Sequence, residues 1–170
     1  MLSRTAAALY WMSRYLERAE NLARMLDVSY SLSLMPQDGS GDGLDELAMP
    51  LQITGTLEDY RNRHGALDAE RLLHFFALDG DNPGSIFSCL RAARSNAHVV
   101  RGRISADMWE NINATSLEMR EIASQGLSGY GISAFCEWVK QRSHLYRGAA
   151  FGTSQRNDAF RFIRLGTYIE

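Results

Sequence analysis

Two sets of charged residues in this 170-residue sequence stand at spacings that could do chemistry. Tyr10, Arg14, Glu17, Asn21 and Arg24 follow one another at three- or four-residue steps, as do Arg91, Arg94 or Ser95, His98 and Arg101. On an α-helix such steps bring side chains to one face. The first set offers a carboxylate, Glu17, among guanidinium groups, an arrangement that could bind a charged substrate or supply a general base. The same residues could instead form local pairs on a solvated face, because Glu17 stands within one turn of Arg14, Arg18 and Asn21. The second set could grip a carboxylate or phosphate through bidentate guanidinium contacts. Its bland alternative is a basic face neutralised by Glu110, Glu118 or Glu121. A helix start at Asn82–Ser85 would add free N–H groups as another anion site.

Other chemistries find less support. The net charge is −2 with a pI near 6.1, which gives no push toward nucleic acid. Lys140 is the single lysine, so arginine supplies 17 of the 18 basic residues. A carboxylate-bridged metal centre in a bundle calls for Glu-x-x-His pairs, whereas Glu70 and His74 stand four apart and no HExxH occurs. Asp79–Leu90 has Leu90 where a calcium loop needs glutamate. Neither GxxxxGK[ST] nor GxGxxG is present, so no metal and no cofactor is expected. Cys89 and Cys136 lack CxxC spacing and read as buried free thiols, and Trp11, Trp109 and Trp138 as core anchors. No apolar run approaches the ~18 residues of a membrane span. Arg4, Arg14 and Arg18 hint at a transit peptide, but Glu17 and Glu20 break that pattern, and a cytoplasmic protein is expected.

The elements that must position these groups are helices. Leu9, Met12, Leu16, Ala19, Ala23, Leu26 and Tyr30 form one apolar stripe, predicting a helix of about thirty residues and ~45 Å, capped by Ser3 and fading before Pro36. Residues 36–50, with three glycines and two prolines, read as a loop. Leu51–Arg63 is a weaker helical segment compromised by Thr54-Gly55-Thr56, and Asp68 caps a short helix ending at Asp79-Gly80. Asn82 fits an N-cap with Pro83 at the first position of a helix that buries Ile86, Phe87, Leu90, Ala93, Ala97 and Val100. Ser105 caps a helix that stops at Gly126. A further helix from about Ser133 places Phe135, Cys136, Val139 and Leu145 inside and closes at Gly152; the last begins near Asn157 or Asp158. The fold class is all-α: a helical bundle with a long N-terminal helix, one domain over residues 1–170.

One pattern appears twice. Tyr15-Leu16-Glu17 and Tyr168-Ile169-Glu170 set an aromatic, an aliphatic and a glutamate in the same order. Around the two copies lie Arg14-Tyr15-Leu16-Glu17-Arg18-Ala19-Glu20-Asn21 and Arg164-Leu165-Gly166-Thr167-Tyr168-Ile169-Glu170. With Met1-Leu2-Ser3-Arg4, Leu9-Tyr10-Trp11-Met12, Asp81-Asn82-Pro83, Ser85-Ile86, Leu90-Arg91-Ala92-Ala93-Arg94, Asn96-Ala97, Val100-Arg101, Met108-Trp109-Glu110 and Asn113, they make an ordered set nearly end to end. In this set the chain resembles the bacterial Alpha-E domain family, helical proteins named for a Glu-Arg motif. Its members are usually longer and continue past the second glutamate. The resemblance therefore implies that this is an N-terminal portion, and predicts self-association through apolar surface meant for the missing part.

The resemblance also implies partners: an ATP-grasp ligase and a transglutaminase-like protein, in systems that make or modify peptides through amide bonds. On that footing the chain is expected to be a helical accessory protein without activity of its own. Arg14, Glu17, Arg18, Asn21, Arg91, Arg94, Arg101 and Glu170 are the candidate binding residues. Arg91, Arg94 and Arg101 would hold a carboxylate, while Glu17 and Arg18 organise the helix junction. An enzyme with Glu17 as general base in an Arg-rich pocket, and a purely structural oligomerisation module, are the alternatives. The enzyme reading requires Glu17 and the Arg91/Arg94 stripe to share one concave pocket.

Overall fold

Apolar residues at three- and four-residue steps bury one flank of a helix against its neighbours, and this chain repeats the device along its length. The computed structural model describes residues 2–36, 43–153 and 157–170. Among them are α1 (Ser3–Ser33), α2 (Leu44–Ile53), α3 (Leu57–His64), α4 (Ala69–Ala77), α5 (Ile86–Val99), α6 (Ala106–Gln125), α7 (Ile132–Thr153) and α8 (Asp158–Ile169), with a 3₁₀ turn at Arg101–Arg103. No strand occurs among the described residues. The all-α bundle with a long first helix is what the spacing predicts.

Helix α1 is the hub, packing most extensively against α5, then α8, α7 and α2. Leu9, Met12, Leu16, Ala19, Ala23 and Leu26 are all buried, as their stripe requires. Around them gather Leu51, Tyr60, Phe75, Phe76, Ile86, Met108, Phe135 and Tyr146, nearly inaccessible to water. The small residues on α1 also matter, because they let other backbones approach closely. A Cβ at Gly166 of α8 would lie 2.3 Å from the Tyr10 carbonyl oxygen and 3.0 Å from the Ser13 Cβ. Only a glycine permits that crossing. On α7, the Tyr146 hydroxyl meets buried Ser13 Oγ at 2.7 Å.

The local chemistry of several ends is as expected. Side-chain oxygens of Asp68, Ser105 and Asn157 accept from the amides of Arg71, Met108 and Phe160. Gly126, with φ of 75°, follows the last turn of α6.

Other ends differ. Ser3 is already helical, and its predecessor Leu2 caps α1 without a side-chain bond. The loop read over 36–50 is shorter, since α2 starts at Leu44; residues 37–42 lie outside the described residues. Gly43 explains this early start. It is left-handed with φ of 73°, and a Cβ there would fall 2.2 Å from the Ser33 carbonyl oxygen. Buried Leu47, Ala48 and Leu51 hold α2 against the bundle despite Pro50 within it. Residues 51–53 thus complete α2, and Thr54-Gly55-Thr56 separates it from α3.

The start of α5 also moves. Ser85, not Asn82, is the cap, accepting from Ser88 N and donating to the Asp79 carbonyl. Asn82 is diverted because its Oδ1 accepts from Gly84 N while its Nδ2 donates to Phe75 O, closing the turn after α4. Leu145 points outward at 54% exposure, and Gly152 lies within α7 rather than ending it.

Candidate functional site

The Gly166 crossing sets the geometry of the charged cluster. Residue numbers rise together across this contact: Tyr10 faces Gly166, and one turn further Arg14 and Arg18 face Glu170. Arg14 Nε donates to Glu170 Oε2 at 2.6 Å, Arg18 Nε to Oε1 at 2.6 Å and Arg18 Nη2 to Oε2 at 3.0 Å. Arg14 is itself steadied by the Tyr10 hydroxyl at 2.5 Å and lies over the Trp11 ring, while Arg18 lies over Tyr15. The Glu170 side chain keeps only 13% exposure. Burial opposes its ionisation, but hydrogen bonds from Arg18 and then Arg14 prevail and hold the carboxyl below the ordinary range.

Glu17 turns to the other side. Arg147 of α7 reaches both of its oxygens, at 3.2 and 3.1 Å, and also bonds Glu20 Oε2. Glu20 is 2% exposed, and its second oxygen takes Arg24 Nη2 at 2.6 Å and lies 3.3 Å from His144 Nε2. Burial raises the Glu17 pKa above the ordinary value, with the Arg147 charge and hydrogen bond opposing. The local pairs anticipated for Glu17 with Arg14, Arg18 or Asn21 are therefore replaced by a pair reaching to α7.

A cleft of about 490 Å³ opens between α1, the α2–α3 turn, α4 and the turn before α5. Arg18, Asn21 and Glu170 line its polar edge, Leu22, Met25, Ile53 and Phe76 its apolar wall, with Thr54 and Thr56 beside them. Glu17, Arg91, Arg94 and Arg101 line none of the described clefts. A second cleft of similar size, under α4 and the α6–α7 turn, contains Glu70, His74 and Tyr30.

The basic stripe of α5 is engaged locally. Arg91 donates to the Gly80 carbonyl and covers the Phe87 ring. Arg94 donates to Asn113 Oδ1, and both Arg94 and Arg101 approach the half-buried Trp109 ring, with centroid distances of 5.9 and 5.0 Å. Glu118, offered as a partner for this face, pairs instead with Arg142 and the Trp138 indole. Asn82 and Ser85 are buried, so the start of α5 is not the open anion site anticipated. Trp109 and Trp138 pack on the core, but Trp11 is 39% exposed beside Tyr10, Tyr15 and Arg14. Both cysteines are free and buried, and burial pushes each thiol up to about 12. No group of three His, Cys, Asp or Glu among the described residues could hold a metal ion. No described helix is long and apolar enough to cross a membrane.

The sequence reading passed over Glu20 and Arg147. Glu20 was open to notice: it falls between Leu16 and Ala23 on the apolar face, where a carboxylate needs a strong partner. Nothing local marks Arg147, 127 residues away.

A long first helix carrying Glu17-Arg18, each residue tied to a different later helix, is the setting for the comparison with known proteins. The Alpha-E profile, described as a predicted alpha-helical domain with a conserved ER motif, matches residues 1–170. The chain belongs to the Alpha-E family. Its relatives include an uncharacterized protein of Mycobacterium bovis and uncharacterized proteins of two Mycobacterium tuberculosis strains. Each is 30% identical over 119 residues, covering 62% of this chain. The match spans only 13% of each relative's length. No solved structure matches the chain significantly. A second Glu-Arg dipeptide, Glu70-Arg71, opens α4, where Glu70 borders the cleft under that helix.

Proposed function

We propose that this Alpha-E chain is the helical partner of an ATP-grasp-type peptide or amide ligase and holds a carboxylate-bearing substrate for it. One observation carries the reading. Arg14 and Arg18 converge on a single carboxylate, that of Glu170, at the edge of a ligand-sized cleft. Two guanidinium groups steadied by aromatic neighbours form a preorganised seat for such a group. This moves the carboxylate-holding role from Arg91, Arg94 and Arg101 to Arg18, which borders the cleft, with Arg14 bracing the Glu170 carboxylate that the two arginines share. The great length of the relatives beyond the matched part supports a domain that works against others. A transglutaminase-like protein is a further partner in the same system, and ATP use places the work in the cytoplasm.

The test is co-expression with an ATP-grasp ligase from the same genome. Co-purification and a rise in amide-forming turnover, lost when Arg14 and Arg18 are both replaced by glutamine, are the expected results. Separate elution with unchanged turnover refutes the proposal.

A second reading, Glu17 as general base, draws on its raised pKa. It requires Arg147 to leave Glu17 when substrate arrives, and Glu17→Gln would then abolish turnover of the chain assayed alone.

A further inference from the structure

The cleft beside α1 has a lining specific enough to define what fits it, and this deepens the carboxylate-holding half of the function proposed above. Its two ionised residues are Arg18 and Glu170, so the wall carries no net charge. Arg18 spends Nε and Nη2 on Glu170, and its Nη1 has no partner among the described residues. Guanidinium has five N–H donors, enough for a second carboxylate on the free edge. A phosphate dianion would set its extra charge near the Glu170 carboxylate, which favours a monoanion.

The Thr54–Thr56 part of the lining is polar in a different sense. Thr54 Oγ1 donates to the Pro50 carbonyl at 2.7 Å. Its 2.8 Å contact with Thr56 Oγ1 must then have Thr56 as donor, because a hydroxyl has one proton. Thr56 Oγ1 is left with lone pairs and no proton to give: an acceptor suited to an amide N–H. Apolar surface completes the lining, with Ile53 63% exposed and Met25 half-buried. Asn21, on the same edge as Arg18, has no hydrogen-bond partner among the described residues.

We infer that this cleft binds an N-acylated apolar α-amino acid, as presented by the C-terminal residue of a peptide. The carboxylate sits on the free edge of Arg18 and the side chain of Asn21. The amide N–H donates to Thr56 Oγ1, and the aliphatic side chain covers Met25 and Ile53. The volume of about 490 Å³ lies in the range of small-ligand sites, roughly 300–1,000 Å³.

Isothermal titration of the full chain with N-acetyl-L-leucine tests this. Binding is expected, weakened at least about tenfold for N-acetyl-L-leucinamide, which lacks the carboxylate, and for N-acetyl-L-glutamate, whose second charge would have to be desolvated against Met25 and Ile53. Asn21→Leu leaves every described ion pair intact and should weaken N-acetyl-L-leucine binding, as should Thr56→Val. Arg18→Gln should abolish it, with circular dichroism showing retained helix. No heat with N-acetyl-L-leucine, equal binding of the amide, or indifference to Asn21→Leu and Thr56→Val together overturns the inference. The partner assignment stands apart: a chain that binds N-acetyl-L-leucine yet never joins the ligase keeps this inference and loses that one.

Discussion

Gly166 meets the backbone of Tyr10 so closely that a single added Cβ would lie 2.3 Å from the Tyr10 carbonyl oxygen. The next turn of each helix carries Arg14 and Glu170, so a contact made by the smallest residue determines whether the ion pair can form at all.

Gly166→Ala therefore should destabilise. In an open helix the same change would add about 0.5–1 kcal/mol of stability, because glycine gives up more backbone freedom on folding. Here overpacking reverses the sign, at a net cost of about 1–3 kcal/mol. Gly148→Ala is the control: it lies exposed in α7, and an added Cβ there meets no heavy atom within 4 Å beyond its neighbours and its own helix backbone. Urea denaturation should show a stability gain for Gly148→Ala and a loss for Gly166→Ala.

The two motif glutamates should respond to acid in opposite directions. Glu170 has a depressed pKa in the folded chain, so its contribution is present above the unfolded carboxyl pKa of about 4.3 and fades as pH falls through the folded value. Glu17 has a raised pKa, so its contribution is complete below about pH 4.3 and fades as pH rises through the folded value. Denaturation midpoints measured from pH 3.5 to 6.5 should fall less steeply toward acid in Glu170→Gln. In Glu17→Gln the loss on the alkaline side of that window should shrink. Parallel profiles for both variants would contradict the geometry.

The relocated start of α5 can be tested by cap deletion. Ser85→Ala removes both the bond from Ser88 N and the bond to Asp79 O, and should cost about 1–2 kcal/mol. Asn82→Ala removes the bond to the Phe75 carbonyl and the acceptor for Gly84 N, a buried pair whose loss should cost about 2–3 kcal/mol. Thermal unfolding that ranks Asn82→Ala as harmless would restore the simpler reading of the sequence.

Both thiols should be silent in the native protein. With pKa values pushed up to about 12 and no exposed surface, Cys89 and Cys136 should resist a colourimetric disulfide reagent at pH 8. Two equivalents should react once guanidinium chloride unfolds the chain.

These tests separate what local sequence determines from what it does not. The α1 stripe from Leu9 to Leu26, and the caps at Asp68, Ser105 and Asn157, depend on neighbours within one or two turns, and all were legible. The start of α5 was misread because Asn82 and Ser85 are both good capping residues. The choice falls to the Phe75 carbonyl, which becomes available to Asn82 only after α4 has docked. Leu145 misled for a different reason: the buried stripe of α7 runs through Phe135, Val139, Ser143, Tyr146 and Ala150, three- and four-residue steps that leave Leu145 on another face. At the site, Glu170 was legible as part of a second motif copy, though not as the partner of Arg18. The pairing of Glu17 with Arg147 was not legible either, because 130 residues separate them and many arginines compete for the role.

Glu17 and Arg18 are adjacent in the chain, yet consecutive helical positions diverge by about 100°. One faces α7 and the other α8. The dipeptide thus works as a two-headed rivet whose order matters as much as its composition. Transposing the two letters conserves net charge, yet it would push a guanidinium against Arg147 and a carboxylate against Glu170, prising two helices from the first with a single inversion.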